Sequence, residues 1–148
     1  MTAGRVGVAL IGSGRMGRFH GETLARRVPG ARLVAVADPA PGAAERLAGT
    51  LGADRAYRDV QRVWDDDAVD AVVIAAPART HADLVAAAAA AGKGVFCEKP
   101  MAVTLGEADR AIDAARAAGI VLQVGFNRRF APDWRAARDL IDSGRLGT

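Results

Sequence analysis

"VGVALIGSGRMGRFH", Val6 to His20, decides the fold of this chain. The apolar run Val6–Ile11 gives way to Gly12-x-Gly14-x-x-Gly17, and an amphipathic stretch of helix length follows from Arg15. A strand that passes through a glycine-rich turn straight into a helix is the context that makes this spacing meaningful. Gly12 permits the tight turn, Gly14 lets a pyrophosphate approach the backbone, and Gly17 lets helix and strand pack closely. Free N–H groups at the start of the helix then face the anion. Gly12, Ser13, Gly14, Arg15, Met16 and Gly17 are thus the expected cradle of a dinucleotide; a glycine-rich turn without a ligand is the alternative.

Outward from this stretch, short apolar runs alternate with helix-length amphipathic ones. The predicted strands are Val6–Ile11, Arg32–Ala37, Arg55–Tyr57, Ala71–Ala76, Gly94–Cys97 and Val121–Gly125. The predicted helices are Arg15–Arg27, Pro41–Leu51, Asp59–Trp64, Thr80–Ala91 with Thr80 as N-cap, Thr104–Ala118 closed by Gly119, and Pro132–Ser143 ending at Gly144. Alternation of this kind predicts an α/β fold, a Rossmann-type doubly wound parallel sheet in three α/β/α layers. At 148 residues the chain fits one domain, and no repeat, linker or internal boundary divides it.

The second strand ends in "VAVADP", which puts Asp38 where an acid can accept hydrogen bonds from the adenosine ribose and repel a 2′-phosphate. Pro39 follows, so no arginine stands next in the chain to receive a phosphate, and NAD is expected rather than NADP. An Asp-Pro turn opener is the plainer reading.

Composition narrows the function classes. Net charge is +3, and arginines, 18 against 2 lysines, alternate with acids instead of forming a basic block, so nucleic acid is not an expected partner. Cys97 is the only cysteine, which excludes an internal disulfide and suits packing in a reducing compartment. The opening apolar run is too short for a signal peptide and no run spans a bilayer, so a cytoplasmic protein without membrane contact is expected. "WDDDAVD" lacks the spaced ligands a cation needs and reads as a solvated turn; no metal site is expected.

"VFCEKPMA", Val95 to Ala102, carries the chemistry. Pro100 restricts Lys99 to extended conformations at the end of a strand, which aims its side chain; a solvated charge pair is the alternative. In a doubly wound sheet ligands bind beyond the carboxyl ends of the strands, and Gly12, Asp38, Pro77, Lys99 and Asn127 all follow strand ends. A cation there can polarise a substrate hydroxyl beside a nicotinamide. His81, in "APARTH", and His20 read first as structural residues.

In order and spacing, "VALIGSGRMGRFH", "VAVADP", "DAVVIAAPARTHADL", "VFCEKPMA" and "VLQVGFNRRF" resemble the N-terminal domain of the glucose–fructose oxidoreductase, inositol dehydrogenase and MocA-like family. "GFNRRFAPDWRAARDLIDSGRLGT" is most similar to the inositol 2-dehydrogenase branch. The resemblance implies an NAD-binding domain followed by a second α/β domain that supplies part of the substrate site and the oligomer contact. It implies that Lys99 touches the reacting hydroxyl and that Arg129 reaches a polyol or sugar. Pro77, Thr80, His81 and Glu98 join the glycine loop and Asp38 as expected cofactor-side residues. From the residues alone, Arg128 and Arg129 could equally be a solvated pair.

Two departures stand out. Ala131 occupies a position where relatives often carry Asp. The family's catalytic Asp and His, from the second domain, have no counterpart before Thr148, so these residues read as a cofactor domain inactive alone, monomeric or docking a second domain. A non-catalytic NAD(H)-binding module, a redox sensor or docking subunit, is the competing expectation.

Overall fold

The computed structural model describes residues 4–145 and contains one six-stranded sheet. Its strands are β1 (Val6–Ile11), β2 (Ala31–Ala37), β3 (Arg55–Tyr57), β4 (Ala71–Ile74), β5 (Gly94–Cys97) and β6 (Leu122–Val124). They run parallel in the order β3-β2-β1-β4-β5-β6, the doubly wound arrangement expected from the alternation. The helices are α1 (Arg15–Arg27), α2 (Ala43–Leu51), α3 (Gln61–Trp64), α4 (His81–Ala90), α5 (Leu105–Ala118) and α6 (Pro132–Asp142).

Strand periodicity divides the core between the two faces of the sheet. Val8 and Leu10 join Leu33, Val36, Leu47 and Ala48 on the α2 side, while Ala9 and Ile11 join Val72, Ile74, Val85 and Ala111 on the α4 and α5 side. The pairing of β1 with β2 slips between Val8 and Ala9, and the adjacent Val34 and Ala35 both belong to the α4 side. Buried on both faces, the central strands need near-continuous apolar sequence, which is what made them legible.

Several boundaries differ from the sequence reading. β4 stops at Ile74, not Ala76, because Ala75 and Ala76 peel away to line a cleft, although Ala75 N still donates to Ile11 O at 2.8 Å. β2 starts one residue early, at Ala31, and β6 is one residue shorter at each end. α2 starts at Ala43, since Gly42 caps it in the left-handed region at φ 70°. α3 starts at Gln61, whose N–H donates to the Asp59 carboxylate. Thr80 does precede α4, but its hydroxyl donates to Pro77 O and caps nothing; Ala78–Thr80 form a 3-10 turn. Thr104 lies outside α5 as its cap, in a reciprocal capping box with Glu107, and Gly119 closes that helix at φ 66°. "NRRF", Asn127–Phe130, forms a second 3-10 turn, and α6 ends at Asp142.

Candidate functional site

Strand order reverses between β1 and β4, so the loops leaving these neighbouring strands diverge and open a crevice. Gly12, Ser13, Gly14, Arg15 and Met16 form one wall and Ala75, Ala76, Pro77, Arg79 and Thr80 the other, with Asp38 and Arg58 toward one end of a cleft of about 740 Å³. Gly12 sits at φ 98°, and a Cβ there would lie 2.6 Å from Ala75 O; only glycine lets the two loops meet so closely. A Cβ on Gly14 would meet nothing within 4 Å and would project into open space. No side chain caps the start of α1, so its first N–H groups keep their capacity for an anion.

Asp38 is anchored from inside the chain. Its Oδ2 accepts from Ser13 N at 2.8 Å and Ser13 Oγ at 2.6 Å, and Oδ1 accepts from Ala40 N at 2.9 Å. Partial burial pushes the carboxyl up, but the bonds from Ser13 Oγ, Ala40 N and Ser13 N outweigh it and hold the group below the usual carboxylate range. Asp38 is therefore charged, with lone pairs left for further donors.

Beyond Arg15 and Met16, which it shares with the first cleft, a second pocket of about 690 Å³ runs past Phe19, His20, Phe96 and Glu98 to Lys99 and Asn127. Lys99 is exposed and its turn is braced twice. Glu98 Oε2 accepts from Lys99 N at 3.0 Å while Oε1 meets His20 Nε2 at 2.8 Å, in a pair whose side chains are 13% and 16% exposed. The His20 ring packs edge-on against Phe96. His81 is buried, with Nδ1 at 2.7 Å from Pro100 O and Nε2 at 2.8 Å from Ala76 O, so it ties the Lys99–Pro100 turn to the end of β4. Lys99 and Asn127 also line a depression with Phe126, Arg128 and Arg129, where the Arg129 guanidinium lies 5.8 Å from the Phe126 ring centre.

Of the residues expected to bind cofactor or substrate, Gly12 to Met16, Asp38, Pro77 and Thr80 line the first cleft, His81, Glu98 and Lys99 the second pocket and Arg129 the depression beside it, while Gly17 lines no part of this trough. Gly17 instead lets α1 seat on the loop, since a Cβ there would collide with the Gly12 carbonyl. His20 and Arg58 carry more than their sequence suggested. His20 lies one turn into α1, on the side of the pocket, and Arg58 follows the end of β3 as Asp38 follows the end of β2; strand-end position was the available signal for the second. Cys97 is packing: burial, and secondarily the Glu98 charge, push its thiol up to about 12. Asp66, from the acidic run, accepts from Arg55, Tyr57 and Ala68 N and so closes its own loop. Among the described residues no cluster of metal-ligating side chains forms and no helix is long and apolar enough to cross a membrane.

Residues 6–126 match the family model described as "Oxidoreductase family, NAD-binding Rossmann fold". The chain belongs to the GFO/IDH/MocA oxidoreductase family. It is similar to the scyllo-inositol 2-dehydrogenase (NAD(+)) of Bacillus subtilis (strain 168), 41% identical over 97% of this chain and 42% of the relative. Inositol 2-dehydrogenase of Rhizobium meliloti (strain 1021) is 42% identical over 93% and 41%. The crystal structure of scyllo-inositol dehydrogenase from Lactobacillus casei with bound cofactor NAD(H) and scyllo-inositol superposes with a TM-score of 0.90 at 28% identity, over 97% of this chain and 42% of that one. The chain thus spans about two fifths of the length of the curated relatives it matches. It is an NAD-binding Rossmann domain of this oxidoreductase family, and its residues fit the cofactor: uncapped N–H groups, an open Gly14 and an anchored carboxylate meet the needs of pyrophosphate and ribose.

Proposed function

We propose that this chain is the cofactor-holding part of a dehydrogenase that oxidises a secondary hydroxyl of a polyol or sugar, an inositol or a related ring being the substrate class. One observation carries the reading: Lys99 lines both the pocket continuous with the dinucleotide cleft and the depression that bears Arg129. When bound, NAD supplies the hydride acceptor. The N–H groups of the Gly12–Gly17 loop hold the pyrophosphate, Asp38 takes the adenosine ribose hydroxyls, and Pro77 and Thr80 wall the cleft. The Lys99 ammonium polarises the substrate oxygen and stabilises negative charge there, while Arg129 orients the remaining hydroxyls. Glu98, His20 and His81 keep the lysine turn in place.

A secondary alcohol must also lose a proton, and a charged lysine cannot take it. The ring nitrogens of His81 already face two backbone carbonyls, and His20 faces Glu98. The base, and a wall to hold the polyol, are therefore assigned to a second domain like the one the family resemblance implies. That domain also carries the oligomer contact and docks against the exposed Phe130 and Trp134. A reducing compartment such as the cytoplasm suits its single, buried cysteine. Tested alone, the 148 residues should bind NADH and produce none from myo-inositol; with a separately expressed second domain from a relative, turnover should appear and Lys99→Met should remove most of it. Robust turnover by the 148 residues alone would show that the base lies within them, and His81 would be the first side chain to replace.

A further inference from the structure

The fold brings to Asp38 an arginine that the chain order withholds. Pro39 follows the acid directly, so along the sequence the position where a phosphate-binding arginine could stand is taken. In the sheet, β3 is the neighbour of β2, and Asp38 N donates to Tyr57 O at 3.0 Å across the two strand ends. The next residue after Tyr57 is Arg58. Its Nε donates to Pro39 O at 3.2 Å, which holds the guanidinium against the residue following Asp38, and it lines the same cleft.

Arg58 pairs with no carboxylate among the described residues. Its sequence neighbour Asp59 turns a carboxylate oxygen to Gln61 N at the start of α3. A guanidinium has five N–H donors in a planar fork, and the bond to Pro39 O uses one. The rest are suited to a phosphate, which they can meet bidentately.

We propose that Arg58 is a second specificity determinant of the dinucleotide cleft: it offsets the repulsion of Asp38 and lets the chain take a dinucleotide phosphorylated at the adenosine 2′ position. The inference rests on the dinucleotide reading of this cleft. Asp38 stays charged and continues to favour the free ribose, so preference for NAD is the difference between two opposing charges a few residues apart in space, and it is narrow.

The test is a fluorescence titration of the 148-residue chain with NADH and NADPH, repeated with Arg58→Ala and Arg58→Glu and at two salt concentrations. NADPH should bind the unmodified chain within about thirtyfold of NADH, a gap of about 2 kcal/mol that leaves room for both charges. Arg58→Ala should weaken NADPH about tenfold more than NADH, and Arg58→Glu should weaken it further still. Salt should erode NADPH affinity more steeply, because an exposed phosphate–guanidinium contact is screened. ADP-ribose and its 2′-phosphate, used as competitors, should show the same differential without a nicotinamide. Equal losses for the two dinucleotides in Arg58→Ala, or none, would overturn the inference while leaving the cleft reading standing. Failure of both dinucleotides to bind the unmodified chain would overturn both.

Discussion

The two ends of the trough are built differently. At the dinucleotide end, the walls are loops leaving β1, β2 and β4, whose Leu10, Val34, Val36 and Ile74 are fully buried. At the other end, Arg128 and Arg129 sit on a 3-10 turn before α6, a helix with no buried residue. There Phe130, Trp134 and Ile141 are exposed, and local order comes from contacts such as the Arg128 guanidinium stacked 4.7 Å from the Trp134 ring centre. A site hung on buried strands is positioned by the whole core, whereas one hung on an exposed helix is positioned by a few neighbours. The dinucleotide end should therefore be rigid and self-sufficient in the isolated chain, and the end that bears Arg128 and Arg129 adaptable.

The largest break in this contrast comes from the glycine loop. Gly14→Val should cost at least about a hundredfold in NADH affinity by calorimetry while thermal unfolding stays near that of the parent, because a Cβ at this cleft-lining position meets no protein atom within 4 Å. Gly17→Val should instead prevent proper folding, since its Cβ meets the Gly12 carbonyl. Matching affinities for Gly14→Val and the parent would move the dinucleotide elsewhere.

Next in size is the difference in stability between the two ends. Leu10→Ala should destabilise by about 2 to 5 kcal/mol in urea titration, as a fully buried leucine does. Ile141→Ala, at 63% exposure, should change stability by less than about 0.5 kcal/mol. A comparable loss in both would mean that α6 is held by the core after all.

His20→Ala sharpens the comparison at the junction of the two ends. It leaves Glu98 Oε1 without its partner in a half-buried setting, for a cost of about 1 to 2 kcal/mol. The lysine turn should loosen as well, read as faster hydrogen exchange at the Lys99 amide. Unaltered exchange there would reduce His20 to packing against Phe96.

The smallest effect expected is on pH dependence. Because folding lowers the Asp38 carboxyl below its unfolded value, its contribution to stability is complete above about pH 4 and is lost as pH falls through the lowered folded value. Asp38→Asn should make the acid limb of a stability–pH curve shallower below about pH 4 and leave the neutral region flat. A steeper acid limb in the variant would contradict the anchoring seen at Ser13 and Ala40.

What the chain order determined by itself was local and periodic. Apolar runs buried on both faces marked the central strands β2, β1 and β4, glycine spacing marked the cradle, and Gly119 marked the end of α5, because each depends on residues within a few positions of one another. Asp38 and Lys99 were legible as well, since an acid or a lysine directly after a strand inherits its place from the sheet. Helix starts were less legible: Pro41 and Asp59 look like first helical residues, yet the left-handed Gly42 and the Asp59 carboxylate set the starts later. Tertiary structure alone decided which strand ends are neighbours. Only the order β3-β2-β1-β4 sets Arg58 beside Pro39, and only the seating of the His20 ring on Phe96 of β5 joins His20 to Glu98, 78 residues away in the chain. The ring nitrogens of His81 likewise found carbonyls on two different loops, Ala76 and Pro100. No spacing along a chain announces such contacts, because their partners are chosen by which apolar faces the sheet must cover.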